Sequence, residues 1–232
     1  MKLAIMQPYF FPYIGYWQLL NVVDKFIILD DVTFIKQGYI NRNKILSQNK
    51  PLQINLQISG ISSNKLILDH EINNNPVWKR KLINTIQQNY RKAKKFKDAF
   101  PIIEEIILYP EINLSGFLYH QIKILSKYLD INTEIIKTSS IYKLKDIKGT
   151  QRIINLCKQE KAKTYINTIG GKELYNVEDF RKNGIELIFI KTNDLSYKQF
   201  KNEFVPDLSI IDVMMHNSVE EIKEMLNNYT LE

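Results

Sequence analysis

The chain has 232 residues, 44% of them hydrophobic, and carries a formal net charge of +7. This length suits one large domain, or a domain with a small appendage, because domains hold roughly 50 to 250 residues. No apolar run approaches the ~18 residues of a membrane span, and Gln7 and Pro8 interrupt the apolar start, so we expect neither a membrane helix nor a signal peptide.

The positive charge is partly local. Residues 78–97 contain eight basic residues and no acidic one. Such a cluster can attract an anionic ligand or polymer, but a solvated helix face is the better explanation. Because Lys, Asn and Ile are abundant together, as low-GC codon usage produces, we expect no nucleic-acid partner. Cys157 is the single cysteine, which predicts a chain without disulfides and a cytoplasmic location.

The chain begins with a predicted strand, helix and strand. Residues 2–6 and 25–30 are short apolar runs typical of buried strands, and residues 14–23 between them are long enough for a helix. Residues 53–58 alternate polar and apolar side chains, which predicts a half-exposed strand. This order is typical of the start of an α/β fold.

Helical patterns follow. Asn75 and Pro76 offer an N-cap and a first-turn proline ahead of apolar residues at steps of four. We expect a further helix after Pro101. A longer helix is predicted by apolar residues on one face: Leu114, Leu118, Ile122, Leu125 and Leu129. These helices interrupt the alternation of strands and helices, so we expect a helical insertion or cap at about residues 76–130.

The rest of the chain returns to alternation. Further strands are predicted at residues 133–140, 164–171 and 185–190. A helix is expected to begin near Thr150, and Ser218 with Glu221 forms a capping-box pattern ahead of a helical tail. Strands that alternate with helices imply a mainly parallel sheet covered on both faces. The sequence therefore predicts a single α/β domain over residues 1–232, with a mainly parallel, Rossmann-like sheet and the helical insertion.

An aromatic stretch, QPYFFPYIGYWQ at residues 7–18, follows the first predicted strand. In open parallel sheets, ligands bind beyond the carboxyl ends of the strands, where this stretch lies. Its prolines stiffen the backbone, and Gly15 lets a backbone or a ligand come close. We expect its apolar rings to plug the edge of the sheet: Phe10, Phe11 and Trp17. For the residues with polar tips, ligand contact and packing are equally good explanations: Gln7, Tyr9, Tyr13 and Tyr16.

A second polar segment follows the next predicted strand. Asp30 and Asp31 stand at its carboxyl end, and further polar residues follow within one predicted loop: Lys36, Asn41, Arg42 and Asn43. The two acids can orient an amine or hold a magnesium ion, while Lys36 and Arg42 can clamp phosphates. The alternative is that Asp31 caps a turn and pairs with Arg42. We favour a substrate site, because polar residues from two consecutive strand ends converge on one crevice.

The second half of the chain offers an anion site. Gly149 and Thr150 open a predicted helix with Arg152 in its first turn, so free N–H groups and a guanidinium can hold a diphosphate. A surface arginine near a helix start is the alternative. For the anion site we expect removal of the Arg152 side chain to weaken nucleotide-sugar binding and to leave stability nearly unchanged. We also expect Tyr13 and Arg152 to face each other across one cavity.

Further features of this half are less specific. Gly170 and Gly171 end a predicted strand and allow a ligand to approach closely, with Tyr175 beside it, but the full spacing of a phosphate loop is missing. Asp212 and His216 are four residues apart, so on a helix their side chains can meet as an oriented base. No zinc site is predicted, because three scattered His and one Cys lack ligand spacing, and we assign no residue as a metal ligand.

Several segments are recognisable together: AIMQPYFFPYIGYWQLL, FIILDDVTFIKQGYINRNKI, KGTQRIINLCK, TYINTIGGKELYN and YKQFKNEFVPDLSIIDVMM. They resemble the WbqC-like protein family, which is encoded in bacterial surface-polysaccharide and O-antigen gene clusters. The resemblance runs from Lys2 to about Asn217 and implies a role in making or modifying nucleotide-activated amino sugars. Asn176 and His216 depart from the family pattern, which often has Asp at the first position and an aromatic residue at the second. We therefore assign no catalytic role to His216.

A looser resemblance concerns the aromatic stretch. Pro12, Tyr13, Gly15 and Tyr16 are similar to the P-x-H-x-G-H signature of nucleotidyltransferases and pantothenate-synthetase-like ligases. This resemblance implies a nucleotide-binding fold of that type. Both histidines are replaced by tyrosine, which has a pKa of about 10 and donates a hydrogen bond without bringing positive charge. The replacement argues against ATP-dependent adenylation.

Together these features predict a transferase of O-antigen and lipopolysaccharide synthesis that moves an acyl or aminoacyl group to the amine of a nucleotide-linked amino sugar. Asp30 or Asp31 would orient the amine, and the hydroxyls of Tyr13 and Tyr16 would stabilise the oxyanion. No motif for coenzyme A, a nicotinamide cofactor or pyridoxal phosphate is present, so neither the cofactor nor the acyl donor is identified. The alternative is a noncatalytic protein of the same pathway that binds nucleotide sugars or acts as a scaffold.

Overall fold

The structure is a computed structural model that describes residues 1–144, 146–200 and 203–232. Its strands and α-helices up to residue 128 are, in chain order, β1 (Lys2–Met6), α1 (Ile14–Val22), β2 (Lys25–Ile28), β3 (Arg42–Ser47), β4 (Lys50–Asn55), β5 (Ile58–Ser59), β6 (Glu71–Ile72), α2 (Val77–Tyr90), α3 (Phe96–Leu108) and α4 (Leu114–Tyr128). The later elements are β7 (Glu134–Ile136), α5 (Gly149–Gln159), β8 (Thr164–Thr168), α6 (Val177–Arg181), β9 (Glu186–Thr192), α7 (Ile210–His216), α8 (Val219–Leu226) and β10 (Tyr229–Leu231).

The centre of the fold is a sheet with the strand order β10-β9-β8-β1-β2-β7. β1 pairs in parallel with β2, where Ala4 lies opposite Phe26, and with β8, where Leu3 lies opposite Tyr165. β7 and β9 join in parallel at either side, and β10 pairs antiparallel with β9. The predicted α/β class with a mainly parallel sheet is therefore confirmed.

Alternating side chains of β1 divide the core between the two faces of the sheet. Ala4 packs in one cluster of buried residues with Trp17 of α1. Leu3 and Ile5 pack in a second cluster with Ile153 of α5. α1 and α5 therefore cover opposite faces, as a parallel sheet requires.

The connections between strands diverge next to β1. From β1 the chain runs through α1 to β2 and later to β7 on one side, and it then crosses to β8 and β9 on the other side. The loops after β1 and β8 therefore lie where parallel sheets bind ligands, beyond the carboxyl ends of the strands.

Between β2 and β7 the chain forms the hairpin β3–β4, the pair β5–β6 and helices α2 to α4. These helices pack into the same cluster of buried residues as α1, through side chains such as Ile86 and Ile103. The helices fall within the insertion expected at about residues 76–130. Their description as a cap on a single domain stays a prediction.

The hairpin β3–β4 was predicted only in part. Arg42 and Asn43 were expected in a loop and instead begin β3, while β4 ends at Asn55 rather than at residue 58. The two strands are joined by a tight turn, in which Gln48 and Asn49 have left-handed φ angles of 48° and 64°. Two such residues make a type I′ turn, whose twist matches that of paired strands.

Other boundaries also differ from the sequence predictions. α3 begins at Phe96, so Pro101 lies inside the helix, where it has no N–H to donate. The strand predicted at 133–140 ends at Ile136, because Thr138 accepts a hydrogen bond from the next turn and caps it. The edge strand β10 was not predicted, because three residues are too few to show a period of two.

Candidate functional site

The loop between β1 and α1 is packed tightly into the protein. Phe10, Phe11 and Trp17 are fully buried, as predicted. Phe11 has a φ of 41°, in the left-handed region that bulky residues rarely adopt. Asn43 of β3 holds the backbone there, because its Nδ2 donates to the carbonyl oxygens of Phe10 at 3.1 Å and Phe11 at 2.8 Å. Asn43, predicted to bind substrate, thus has its amide hydrogens engaged inside the protein.

Other elements hold the same loop. Gln121 of α4 donates from Nε2 to the carbonyl oxygen of Tyr9 at 3.0 Å and accepts at Oε1 from the N–H of Phe11 at 3.0 Å. Ser209, just ahead of α7, donates from Oγ to the carbonyl oxygen of Phe11 at 2.7 Å. A loop held this way loses little entropy when its side chains bind a ligand.

Two tyrosines of this rigid loop, Tyr9 and Tyr13, lie close to Tyr39 of the loop after β2. The rings of Tyr9 and Tyr39 lie 6.0 Å apart, and Tyr13 and Tyr39 are 39% and 55% exposed. We call Tyr9, Tyr13 and Tyr39 the tyrosine band. Burial raises the pKa of Tyr9 and of Tyr13, so both stay protonated and can donate hydrogen bonds at neutral pH. Tyr16 is buried below the band, and its hydroxyl donates to the carbonyl oxygen of Gln7 at 3.2 Å.

Gly15 lets Tyr13 lie against the sheet. A Cβ atom at residue 15 would lie 2.3 Å from the hydroxyl oxygen of Tyr13 and 2.7 Å from Oγ1 of Thr192, at the end of β9. Both distances are far below a van der Waals contact. The close approach predicted at Gly15 is therefore made by a side chain of the protein itself.

A cavity of about 510 Å³ lies between the loop that follows β2 and the hairpin β3–β4. We call it the amide cavity, because amide side chains line much of it: Gln37, Asn41, Gln53, Asn55, Gln57 and Asn73. Its charged lining residues are Lys36 and Arg42, and no acidic residue is among the described residues that line it. Three of the binding residues predicted in this segment, Lys36, Asn41 and Arg42, thus line one cavity.

A cavity of about 350 Å³ lies beyond the carboxyl end of β9 and includes Tyr13 in its wall. Its carboxylates are Asp194 and Asp207, both exposed, and we call it the acidic cavity. Burial is the main cause of the raised pKa of Tyr13, and the negative charge of Asp207 adds to it. The tyrosine band therefore runs from the acidic cavity, at Tyr13, to Tyr39 on the loop that lines the amide cavity.

Asp30 is buried at the carboxyl end of β2 and is surrounded by donors. Its Oδ1 accepts from Thr138 Oγ1 at 2.7 Å and from the N–H of Ser139 at 3.2 Å, and its Oδ2 accepts from Ser115 Oγ. Burial raises the pKa of Asp30 above its usual value, while these hydrogen bonds oppose that shift. The carboxylate therefore ties β2 to α4 and to the segment after β7.

Asp31 forms a buried ion pair with Arg152. Oδ1 of Asp31 contacts Nη2 of Arg152 and also accepts from Ser139 Oγ, and the two paired side chains are only 5% and 7% exposed. The alternative partner, Arg42, instead donates to the carbonyl oxygens of Gly38 and Gln37. Arg152 is thus neither a surface residue nor free of partners, because α5 places it against the end of β2.

The remaining predicted residues follow β8. Gly171 lies in a 3-10 turn after the strand, where a Cβ would meet Asn167 Nδ2 at 2.6 Å, and Gly170 beside it faces open space. Tyr175 packs edge-on against Tyr165 and the neighbouring Phe180.

Tyr13 and Arg152 do not line a common cavity among the three described for the structure. Tyr13 lies beside Thr192 of β9, and Arg152 is held at the end of β2. β8 and β1 lie between those two strands. Both residues stand at the carboxyl edge of the sheet, but at separate places along it.

Comparison with known proteins identifies the family. The model of the WbqC-like protein family matches residues 7–224. The chain belongs to the WbqC-like protein family. It is also similar to the "Uncharacterized protein Rv1507c" of Mycobacterium tuberculosis, with 27% identity over 223 residues that cover 94% of this chain and 95% of the relative. No solved structure matches this WbqC-like chain.

The structure adds residues that sequence reasoning missed. Asp207 of the acidic cavity lies within a recognisable WbqC-like segment, but it shares that cavity with Tyr13, which is far away in the chain. Tyr90, Tyr197 and Gln199 surround Asp212 in the same way. Such contacts leave no local pattern.

Two further findings concern the described part of this WbqC-like chain. Within it, no group of three or more His, Cys, Asp or Glu side chains is placed to hold a metal ion. None of its helices combines the length and the apolar character that crossing a membrane requires.

Proposed function

We propose that this chain transfers an acyl or aminoacyl group to the amine of a nucleotide-linked amino sugar, in the cytoplasm, during synthesis of a surface polysaccharide. One observation carries the proposal: the cavities next to the tyrosine band have opposite charge. Cations line the amide cavity, and carboxylates line the acidic cavity. A nucleotide amino sugar has the same polarity, with an anionic diphosphate on one side of the sugar and an amine on the other.

The amide cavity suits the diphosphate and hydroxyl groups. Arg42 is held by its bonds to the loop carbonyls of Gln37 and Gly38, and Lys36 is exposed beside it. A guanidinium and an ammonium provide charge-assisted hydrogen bonds to phosphate oxygens. Amide groups such as those of Gln53 offer both donors and acceptors to hydroxyl groups. We assign the diphosphate here rather than to Arg152, because Arg152 is already paired with Asp31.

The tyrosine band suits the sugar and the reacting amine. Exposed aromatic rings with polar tips pack against a sugar ring and hydrogen-bond to it. At the Tyr13 end, Asp194 and Asp207 attract an ammonium group. One of these carboxylates takes a proton from the ammonium group, and the neutral amine then attacks the acyl carbon while a protonated tyrosine hydroxyl donates to the oxyanion. Collapse of this intermediate breaks the bond between the acyl carbon and the donor's leaving group, which departs with the bonding electrons, and the nitrogen gives up its second proton to the leaving group or to solvent. This keeps the predicted role of Tyr13 and adds the carboxylates that hold the amine.

Asp30, Asp31 and Tyr16 support this site from within. The hydrogen bonds of Asp30 and Asp31 fix the carboxyl end of β2, and that of Tyr16 fixes the backbone at Gln7, where the loop between β1 and α1 begins. Direct contact of Asp30 or Asp31 with the amine, the role predicted from the sequence, requires these hydrogen bonds to be exchanged. That role stays a prediction.

Binding is tested with two nucleotide sugars that differ at the amine. Calorimetry should show UDP-glucosamine binding about fivefold more tightly than UDP-N-acetylglucosamine, the equivalent of one exposed ion pair of ~1 kcal/mol. Asp207→Asn should abolish the preference, whereas Lys36→Gln should weaken both ligands equally. Glu173→Gln and Lys158→Gln, which change exposed charges outside the three cavities, serve as controls. Failure of both sugars to bind, or equal effects of Asp207→Asn and Glu173→Gln, would contradict the proposal.

Catalysis is tested separately. The protein is incubated with UDP-glucosamine and, in turn, an acyl-coenzyme A, an aminoacyl donor, and ATP with a free acid, and the sugar is analysed by mass spectrometry. A product acylated at nitrogen supports the transferase. Binding without any product supports the second candidate, a noncatalytic nucleotide-sugar-binding protein. The observation in its favour is that both predicted catalytic carboxylates are buried and hydrogen-bonded.

A further inference from the structure

The largest of the three cavities, about 800 Å³, plays no part in the proposed sugar site. Its walls come from the linker between α2 and α3, from the segment after β9, and from the ends of α7 and α8. We call it the helical cavity. Its size lies within the range of roughly 300 to 1,000 Å³ that is usual for small-molecule sites.

A hydrogen-bonded carboxylate lies behind this cavity. Asp212 is fully buried and accepts hydrogen bonds from Tyr90 at 2.6 Å, from Tyr197 at 2.7 Å and from Gln199 at 2.7 Å. The end of α2 and the segment after β9 thus converge on one carboxylate of α7. Tyr197 belongs both to this network and to the cavity wall.

His216 stands between the carboxylate and the cavity. Its Nε2 is buried, lies 3.8 Å from Oδ1 of Asp212, and has no hydrogen-bond partner among the described residues. The imidazole is 4.6 Å from the ring of Phe200, which also lines the cavity. A buried polar atom without a partner is costly, so a position of this kind calls for an explanation.

The charged residues of the wall have a small net positive charge. Lys92, Lys94 and Lys198 line it, against Glu221 and Glu224. Lys94 is offset by Glu221, with Nζ and Oε1 3.7 Å apart. Lys92 and Lys94 belong to the basic run at residues 78–97, so part of that run borders a cavity rather than open solvent.

We infer that the helical cavity is a second ligand site, which binds a nucleoside diphosphate group with its phosphates at Lys92 and Lys198 and its ring against Tyr197 and Phe200. This inference rests on the proposed function. Under that function, the ligand is the nucleotide part of an activated acyl donor. The helical cavity and the acidic cavity share Leu195 and Tyr197, so a donor bound here lies next to the proposed amine position.

Such a ligand couples binding to proton uptake. Burial lowers the pKa of His216, although the charge of Asp212 opposes this shift, so the free imidazole is mainly neutral at neutral pH. Phosphate charge in the cavity favours the imidazolium. The other titratable groups around the histidine are the hydroxyls of Tyr90 and Tyr197 and the lysines and glutamates of the wall: Lys92, Lys94, Lys198, Glu221 and Glu224. The tyrosines stay neutral, because burial raises the pKa of both.

The test uses protein labelled with ¹⁵N-histidine, whose ring signals come from three residues, His70, His120 and His216. ADP, inorganic pyrophosphate and adenosine are titrated as probes. ADP should shift the His216 signals and bind at least about tenfold more tightly than adenosine, which lacks phosphate. ADP affinity should rise as the pH falls from about 8 to about 6, because ADP raises the pKa of His216 and the complex therefore takes up a proton in this range.

Variants separate a ligand site from a packing role. Lys92→Gln combined with Lys198→Gln should weaken ADP at least about tenfold without lowering the melting temperature, because both lysines are exposed. His216→Gln should remove the pH dependence. His120→Gln is the matched control. Like His216, His120 has a buried Nε2 with no hydrogen-bond partner in the described part of the chain, but it lines none of the three cavities. If ADP and pyrophosphate leave His216 unshifted, or if the lysine variants bind ADP normally, the inference is overturned.

Competition distinguishes this site from the proposed sugar site. If UDP-glucosamine displaces ADP from the helical cavity, there is no separate donor site, and the inference fails while sugar binding stands. If ADP binds next to His216 but neither nucleotide sugar binds anywhere, the proposed function fails and the second site stands. Simultaneous binding of ADP and UDP-glucosamine supports both.

Discussion

Replacing Arg152 by methionine is expected to destabilise the protein strongly. The Arg152 and Asp31 side chains are 7% and 5% exposed, and the substitution leaves the Asp31 carboxylate buried with a hydroxyl donor, Ser139, but without its cation. Removing one partner of a buried ion pair costs about 3–5 kcal/mol. For a chain of this length, each 1 kcal/mol lowers the melting temperature by roughly 2–4 °C, so the expected fall is about 6–20 °C.

The assay is urea unfolding of a double-mutant cycle. Arg152→Met and Asp31→Asn are measured separately and together, and the double variant should recover a substantial part of the loss, because no charge is left unpaired. Arg181→Met is the matched control. Arg181 pairs with Glu178 at 3.4 Å, but those side chains are 79% and 58% exposed, so we expect a loss below about 1 kcal/mol.

The outcome also decides how Arg152 is used. The sequence led us to expect that its removal would leave stability nearly unchanged, which is the behaviour of a solvated arginine. A loss for Arg152→Met no larger than that for Arg181→Met would refute the buried pair and return Arg152 to the list of ligand contacts.

Further predictions concern the loop between β1 and α1 and Asp212. Gly15→Ala should lower the affinity for UDP-glucosamine at least about tenfold in calorimetry, because the added Cβ would displace Tyr13. The same overpacking should lower the free energy of unfolding by about 1–3 kcal/mol. Unchanged affinity would contradict this prediction. Asn43→Ala should cost about 1–3 kcal/mol in urea unfolding, because the carbonyl of Phe10 loses its donor, whereas Asn41→Ala, which loses one bond at 3.2 Å, should cost less. Asp212→Asn should lower the pKa of His216 further, as measured by NMR titration, because the charge that raises it is removed. The pKa of His216 in the folded protein lies below its unfolded value of about 6.5. The stability that depends on the neutral imidazole is therefore fully present above pH 6.5 and is lost as the pH falls through the folded pKa. Because Asp212→Asn lowers the folded pKa further, the free energy of unfolding should fall by a larger total amount in that variant.

The sequence predicted features that depend on neighbours in the chain. The apolar spacing from Leu114 to Leu129 predicted α4, and the run IELIFI predicted β9. The capping-box pattern at Ser218 and Glu221 was confirmed at the start of α8. The direction of the predicted strand was enough to predict that Asp30 and Asp31 lie at the carboxyl edge of the sheet.

Pairings between distant residues were beyond the reach of the sequence. Arg152 meets Asp31 from 121 positions away, and Tyr90 meets Asp212 from 122 positions away. Local pattern sets which side of an element faces inward, but it does not specify which polar groups will meet there. For this reason the candidate residues were placed at the correct edge of the sheet, while the partners that bury Arg152 and engage Asn43 were missed.

The hydrogen bonds that hold the loop between β1 and α1 have a consequence for folding during synthesis. Its backbone is bonded to side chains 32, 110 and 198 positions further along the chain. A nascent chain released before Ser209 would leave the carbonyl of Phe11 without one of its donors, and contacts of such long range form late and slowly in folding. The full set of hydrogen bonds that holds this loop can therefore form only after residue 209 has been synthesised.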